Sequence, residues 1–394
     1  AFRNREARLL RKRKNMDASE LAMQLKISPI TAELLLARGA DTPESARAFL
    51  YAGYEDLSDP FEIPDMREAA ARIRRACEAG ESVVIFGDYD ADGISSVSIF
   101  YQYLTDRGAN AHWYVPEREE GYGLNTDAVE YIADTYLPDL IVTCDCGVSS
   151  HDEVEYIKDL GIEVIVTDHH ELPELLPDCL VVNPKRGNNP ATAMLCGAGV
   201  VFKVVEAAEG REYVKRFLDI AAIATVADSV PLLGENRDIV TEGLKLINAR
   251  PRSCFSALLG KAAEGVTAQN LAFTIAPRIN ASGRMECGKE SVDLLVERDI
   301  NEALRRARHI DTYNEQRKGI DRQMTDEANL IVNRLESQSH QSSIVLYDEH
   351  WKKGVVGIVA SRLTEIYFRP TVVITREGDL ATGSARSVAG FDIY

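Results

Sequence analysis

Five short strand-like runs, at 83–86, 111–115, 140–143, 163–167 and 180–182, recur between segments of helical spacing at 95–107, 126–136 and 150–160. Such brief runs of Val, Ile and Leu are too short for a buried helix but suit strands covered on both faces. Strands separated by helices pair in parallel, because a crossover is what reaches a parallel neighbour. The alternation therefore predicts an α/β fold built on a doubly wound parallel sheet.

At 394 residues the chain exceeds one ordinary core and divides in four by pattern. Residues 1–60 form a helical N-terminal region: a basic lead holds seven Lys or Arg within 1–15, helical spacing follows at 17–25 and 29–38, and Thr42-Pro43-Glu44 opens a further helix as a cap with Pro at its first position. A linker is expected at 60–64. Residues 61–299 hold the sheet, with an amphipathic helix at 67–79 feeding its first strand and a helical stretch from 199 to 259. A charged helix connects at 300–340. From 341, strands at 343–347 and 371–375 flank a helix at 355–367, a second, smaller α/β domain whose pattern breaks off at Tyr394 and is expected to be incomplete.

Composition narrows the class. With 45% hydrophobic and 27% charged residues, and apolar stretches well short of a membrane span, the chain reads as soluble and globular. Its seven cysteines form no zinc-like C-x-x-C pair, which suits reduced thiols in a cytoplasmic protein, and Cys144 and Cys146 read as small core residues. A net charge of −17 argues against a general nucleic-acid binder, unless basic groups are concentrated locally or bound cations supply positive charge.

The chemistry lies at the strand ends. The run at 82–86 leads into GDYDADG (87–93), which places Asp88, Asp90 and Asp92 at alternate positions. The next acidic strand ends carry Asp145 and then Asp168-His169-His170, and a helix at 221–227 ends in Asp228. An Asp-Gly segment is by itself equally an acidic surface turn, and Asp after a strand is often a cap. Repetition decides, because an open α/β sheet brings the ends of its strands to one edge. Crowded carboxylates stay ionised only beside a cation. Carboxylates with a neutral imidazole suit Mn²⁺ or Mg²⁺ better than zinc, and this many ligands suggests two ions with one carboxylate bridging.

GDYDADG, VTCDCGVSS, VTDHH and ATVADSVPL resemble, in order and spacing, the four motifs of the DHH phosphoesterase superfamily. EGYGL (120–124), PRINASGRM (277–285), WKKGVVGIVASRL (351–363) and GSARS (383–387) are similar to those of RecJ-type single-stranded-DNA exonucleases, the last two in the DHH-associated domain. The resemblance runs from about residue 39 onward, leaves out the basic lead, and departs at Lys352, where many relatives have His. It implies a 5′-to-3′ exonuclease acting in DNA repair and recombination. Asp88, Asp90, Asp92, Asp145, His169 and Asp228 would hold the metals, with Asp145 bridging. His170 would face the scissile phosphate, and Asp168 would orient its neighbours. Arg118, Tyr122, Arg278, Asn280, Arg284, Ser384 and Arg386 would contact DNA, with Arg386, Ser384 and Arg118 around a 5′-terminal phosphate. Single-stranded DNA is the implied substrate, and a single-stranded-DNA-binding protein or a helicase the implied partners. An alternative is a DHH phosphodiesterase acting on short RNA or dinucleotides, in which a Gly-Gly-His type motif commonly replaces GSARS. A non-catalytic replication scaffold is disfavoured because every ligand position is filled.

Overall fold

The structure, a computed structural model, describes residues 17–117, 120–121, 123–260, 265–285, 288–336 and 341–393. Arg118, Tyr122, the side chain of Arg284 and the basic lead lie outside the described residues.

Three helices come first: α1 (Ala18–Leu25), α2 (Pro29–Ala37) and α3 (Pro43–Tyr51). The starts of α2 and α3 follow capping chemistry. Ser28 Oγ accepts from Thr31 N at 3.1 Å, Thr42 and Ser45 form a capping box, and Pro29 and Pro43 occupy first positions. Leu21, Leu25, Ala32, Leu35 and Ala46 make a small core of their own. The segment at 60–64, expected as a linker, instead folds into a 3₁₀ turn (Pro60–Glu62), and Pro60 and Ile63 are buried. Two apolar residues there gain more from packing than from solvation.

The sheet domain runs α4 (Met66–Ala79), β1 (Ser82–Gly87), α5 (Ala91–Asp106), β2 (Asn110–Tyr114), α6 (Thr126–Tyr136), β3 (Leu140–Cys144), α7 (His151–Asp159), β4 (Glu163–Thr167) and β5 (Leu180–Val182). The strands are all parallel in the order β2-β1-β3-β4-β5. Alternate residues face opposite layers: Val83, Ile85, Leu140 and Val142 enter the larger core, and Val84, Phe86, Ile141 and Val164 enter the core under α6 and α7. Register pairs Gly87 with Cys144 and Cys144 with Thr167, so the residues just beyond these strands emerge level at one edge.

Helices α8 (Gly197–Glu209), α9 (Leu218–Ala227), α10 (Glu235–Ala249) and α11 (Ser253–Leu259) follow. A π-helical turn (Leu271–Ile275) then leads into α12 (Ala276–Arg284) and α13 (Gly288–Val296). The connecting helix α14 (Ile300–Glu336) is 37 residues long, about 55 Å. Its early turns bury Ala303, Ala307 and Ile310 in the sheet domain, and its late turns bury Met324, Ala328 and Val332 in the last packing unit. That unit is β6 (Ile344–Tyr347), α15 (Lys353–Tyr367), β7 (Thr371–Glu377) and β8 (Leu380–Arg386), with β6 parallel and β8 antiparallel to β7. Among the described residues, no helix is long and apolar enough to cross a membrane.

Lys203 is fully buried and joins the N-terminal region to the sheet domain: its Nζ donates to Ser58 O at 2.7 Å and to Glu206 Oε2 at 3.0 Å, and lies 3.2 Å from Glu235 Oε2. Close by, a cleft of about 360 Å³ is lined by Arg38, Phe49, Asp56 and Asp238, among others. Burial, then Asp56 and Glu235, push Asp238 up to about 6. An acid raised in the folded state contributes stability below its unfolded value and loses it as pH climbs through the folded one. Asp238→Asn is therefore expected to stabilise the chain by about 1–3 kcal/mol at pH 7.5 and by almost nothing at pH 4. Urea midpoints at the two pH values check this, and equal shifts would remove the assignment.

Candidate metal centre

The loop after β1 shows why its glycines are there. Neither Gly87 nor Gly93 has positive φ. A Cβ on Gly87 would lie 2.2 Å from Val97 Cγ2, and one on Gly93 would lie 2.4 Å from Asp88 O. Close approach, not a turn dihedral, requires glycine here. The helix expected to start near 95 begins at Ala91, because Asp90 caps it: Asp90 Oδ1 accepts from Asp92 N at 2.8 Å and Gly93 N at 3.1 Å. Asp92 thus sits in the first turn and reaches across to the start of α8. There its two oxygens accept from Gly197 N at 2.6 Å and Ala198 N at 2.7 Å.

Asp145 leaves β3 in the left-handed region, φ 64°, with its N–H donating to Thr167 O at 3.0 Å. Such backbone is costly for a side-chain-bearing residue and is tolerated best by Asp or Asn. Asp168 binds inward with both oxygens. Oδ1 accepts from His169 N, His170 N and His170 Nδ1 at 2.7, 3.1 and 2.8 Å, and Oδ2 accepts from Val148 N at 2.9 Å. It therefore orients the histidine pair and clasps the turn beyond Asp145. His169 Nε2 lies 3.1 Å from Asp145 Oδ1, 3.7 Å from Asp92 Oδ2 and 3.8 Å from Asp228 Oδ2.

Three sets of ligand atoms each lie within 4.8 Å of one another: Asp88, Asp90 and Asp145; Asp145, His169 and His170; and Asp92, His169 and Asp228. Asp145 and His169 each belong to two sets, so the three sets adjoin one another in a single cluster. The six sequence-predicted ligands all converge there.

The electrostatics fit cations. Burial and then neighbouring carboxylates push Asp92 and Asp145 well above the ordinary range, and burial with Asp90 lifts Asp228 to about 6. Burial and His170 hold His169 down at about 4, so its imidazole is neutral, as a ligand must be. A cluster in this state needs protons or metal ions, and its oxygen-rich donor set suits Mn²⁺ or Mg²⁺. The thiols do not compete: burial keeps Cys144 up at about 12 and Cys146 well above its ordinary value. His170 differs from its neighbour. Its bond to Asp168 raises it toward the cationic form, and it is half exposed. Burial would raise Asp168, yet the bond and charge of His170 hold it below the usual carboxylate range.

Residues 82–225 match the DHH family, N-terminal domain. The single-stranded-DNA-specific exonuclease RecJ of Salmonella typhimurium is 33% identical over 413 residues, covering 98% of this chain and 70% of the relative. The chain belongs to the RecJ family. RecJ of Bacillus subtilis is 42% identical over 383 residues, covering 95% of this chain and 48% of its own length. The crystal structure of Thermus thermophilus RecJ in complex with Mn²⁺ is similar with a TM-score of 0.81 and 31% identity, over 95% of this chain and 54% of that one. The chain thus spans about half the length of these two relatives, and its α/β architecture is that of the RecJ fold.

The PRINASGRM segment of this RecJ-family chain supports the centre from behind. Asn280 Oδ1 accepts from Ala91 N at 2.8 Å, and a Cβ on Gly283 would lie 2.0 Å from Tyr89 O. Arg278 donates from Nη1 to Leu258 O at 2.7 Å and pairs through Nε with Asp311 Oδ1 at 2.7 Å, pinning α12 to α14. Expected as DNA contacts, Asn280 and Arg278 are thereby engaged in the scaffold. Ser384 and Arg386 lie on β8. Arg386 Nε donates to Ser361 Oγ at 3.1 Å and Nη1 to Ser384 Oγ at 2.8 Å. Gly357 of α15 faces them, since a Cβ there would lie 3.2 Å from both Arg386 Nη2 and Ser384 Oγ. Sequence reasoning missed Gly197 and Ala198, whose amides hold Asp92. The one available signal was the run of small residues Gly197-Ala198-Gly199.

Proposed function

We propose that the chain carries the catalytic part of a divalent-metal-dependent exonuclease that hydrolyses single-stranded DNA from its 5′ end in repair and recombination. The observation that carries this reading is the run of three adjoining ligand sets, linked through Asp145 and His169. Mn²⁺ or Mg²⁺, two ions, held by Asp88, Asp90, Asp92, Asp145, His169 and Asp228, would offset the developing negative charge and make water a better nucleophile. Around them the chain's own groups position and polarise. Asp145 belongs to two of the ligand sets, and Asp168 holds both histidines in place. His170, with Nδ1 committed to Asp168, offers its opposite edge to the scissile phosphate, where a donor stabilises charge in the transition state.

The terminal phosphate is assigned to Arg386 and Ser384, supported by a guanidinium and hydroxyl held 2.8 Å apart beside a glycine. Arg118, Tyr122 and Arg284 are assigned to the strand. We further read 1–60, 61–299, 300–340 and 341–394 as the functional divisions. Single-stranded-DNA-binding protein and a helicase are assigned as partners, and the cytoplasm as the compartment.

The decisive experiment compares 5′-labelled and 3′-labelled single strands, blunt duplex and short RNA in Mn²⁺. Mononucleotides are expected from the 5′ ends of single strands. Equal cleavage of blunt duplex, or no cleavage of DNA longer than a few nucleotides, would sink the reading. Arg386→Ala is expected to raise KM on 5′-phosphorylated strands roughly tenfold, as for a lost charge-assisted bond of about 1.5–3 kcal/mol, while Mn²⁺ affinity holds. Unchanged kinetics on that substrate would remove Arg386 from the pocket.

A further inference from the structure

Phe273 is 79% exposed, although Leu271 and Ile275 on either side are fully buried. It sits within the π-helical turn Leu271–Ile275, a rare form found frequently at functional sites. Among the described residues it stacks on no other ring. The π-helical turn runs directly into α12, whose Asn280 bonds to Ala91 N at the start of α5. Phe273 therefore lies seven residues, about 10 Å along the helix, before the residue that touches the GDYDADG loop. The segment that carries it does not repel a polyanion: residues 265–285 contain no Asp or Glu, in a chain of net charge −17 with 62 acidic residues, and Asp311, which meets them, is offset by Arg278.

We propose that Phe273 is a base-stacking platform for single-stranded nucleic acid entering or leaving the metal centre, an inference that rests on the nuclease reading above. A phenyl ring presented to solvent beside a segment free of carboxylates can accept any base on its face, without hydrogen-bond readout. It also favours single strands, because bases in a duplex are already stacked on one another.

The test uses the full chain, a cleavage-resistant phosphorothioate strand and Mn²⁺, read by fluorescence anisotropy. Phe273→Ala is expected to raise Kd roughly 5- to 150-fold. Phe273→Trp should restore binding and Phe273→Leu should not, because Leu supplies apolar area without a ring face. Walking one abasic site along the strand should locate a single position at which wild type and Phe273→Ala bind alike. The inference fails if Phe273→Ala binds like wild type, if Phe273→Leu restores binding, or if the difference survives every abasic position. It fails too if the wild-type chain does not bind the strand. A chain that binds with this pattern yet cleaves no normal strand overturns the hydrolytic reading alone.

Discussion

Replacing Asp145 by Ala or Asn is expected to cost on the order of 10³-fold or more in single-strand hydrolysis, while Asp145→Asn makes the metal-free chain more stable. The two effects share a cause. Asp145 Oδ1 lies 3.1 Å from His169 Nε2, and the side chain belongs to two of the three ligand sets, so its loss disturbs both of those at once. Without metal the same carboxylate is a liability: it is 2% exposed and is crowded by Asp92, Asp90 and Asp88. Removing one of several buried like charges relieves repulsion, by about 1–3 kcal/mol. Asn is the variant for that measurement because φ at this position is 64°, backbone that Asn accepts and Ala resists. Thermal unfolding in EDTA and in Mn²⁺ separates the terms. Wild type should gain stability from Mn²⁺ as a ligand of the folded state, and the variant should lose most of that gain. An Asp145→Asn chain with the full Mn²⁺-dependent shift would show that Asp145 holds no ion.

Much of this centre is legible in the sequence because its parts end strands. Runs such as Val83-Val84-Ile85-Phe86 declare themselves by composition, and parallel register levels their ends, so Asp88, Asp145 and Asp168 must emerge side by side. Other features depend on contacts that no local pattern carries. Gly93 resembles a helix breaker, yet it lies inside α5, where the backbone of Asp88 leaves no room for a Cβ. Strand β8 reads Leu-Ala-Thr-Gly-Ser-Ala-Arg, weak in β-branched residues, and exists because it pairs with all of β7. Arg278 and Asn280 have the chemistry of nucleic-acid contacts. The same donors and acceptors serve a scaffold equally well, and only the fold shows that they also bond Leu258, Asp311 and Ala91.

Gly197→Ala should be nearly as damaging as loss of a ligand, although Gly197 offers no side chain to a metal. A Cβ there would lie 2.6 Å from Asp145 Cβ and 2.7 Å from its Cγ and Oδ1, well inside contact distance. Either Asp145 or α8 must move. Helix α8 has little freedom to retreat, because Val200, Val201, Phe202, Val204 and Val205 are fully buried behind it. Its first turn is also tied forward, through Gly197 N and Ala198 N to Asp92. Asp145 therefore yields, and it starts from a strained φ with few alternatives. A displacement near ~1 Å at a positioning group costs on the order of 10²-fold in rate, and overpacking costs about 1–3 kcal/mol in stability. The control is Gly319→Ala on α14, where a Cβ meets nothing within 4 Å. That change should leave hydrolysis alone and stabilise the exposed helix by about 0.5–1 kcal/mol. Mn²⁺ titrations of the two variants discriminate further: Gly197→Ala should weaken metal affinity together with rate, since one carboxylate serves both. Wild-type rate and affinity in Gly197→Ala would mean that the start of α8 does not press on Asp145, and the coupling between that helix and the ligand sets would have to be abandoned.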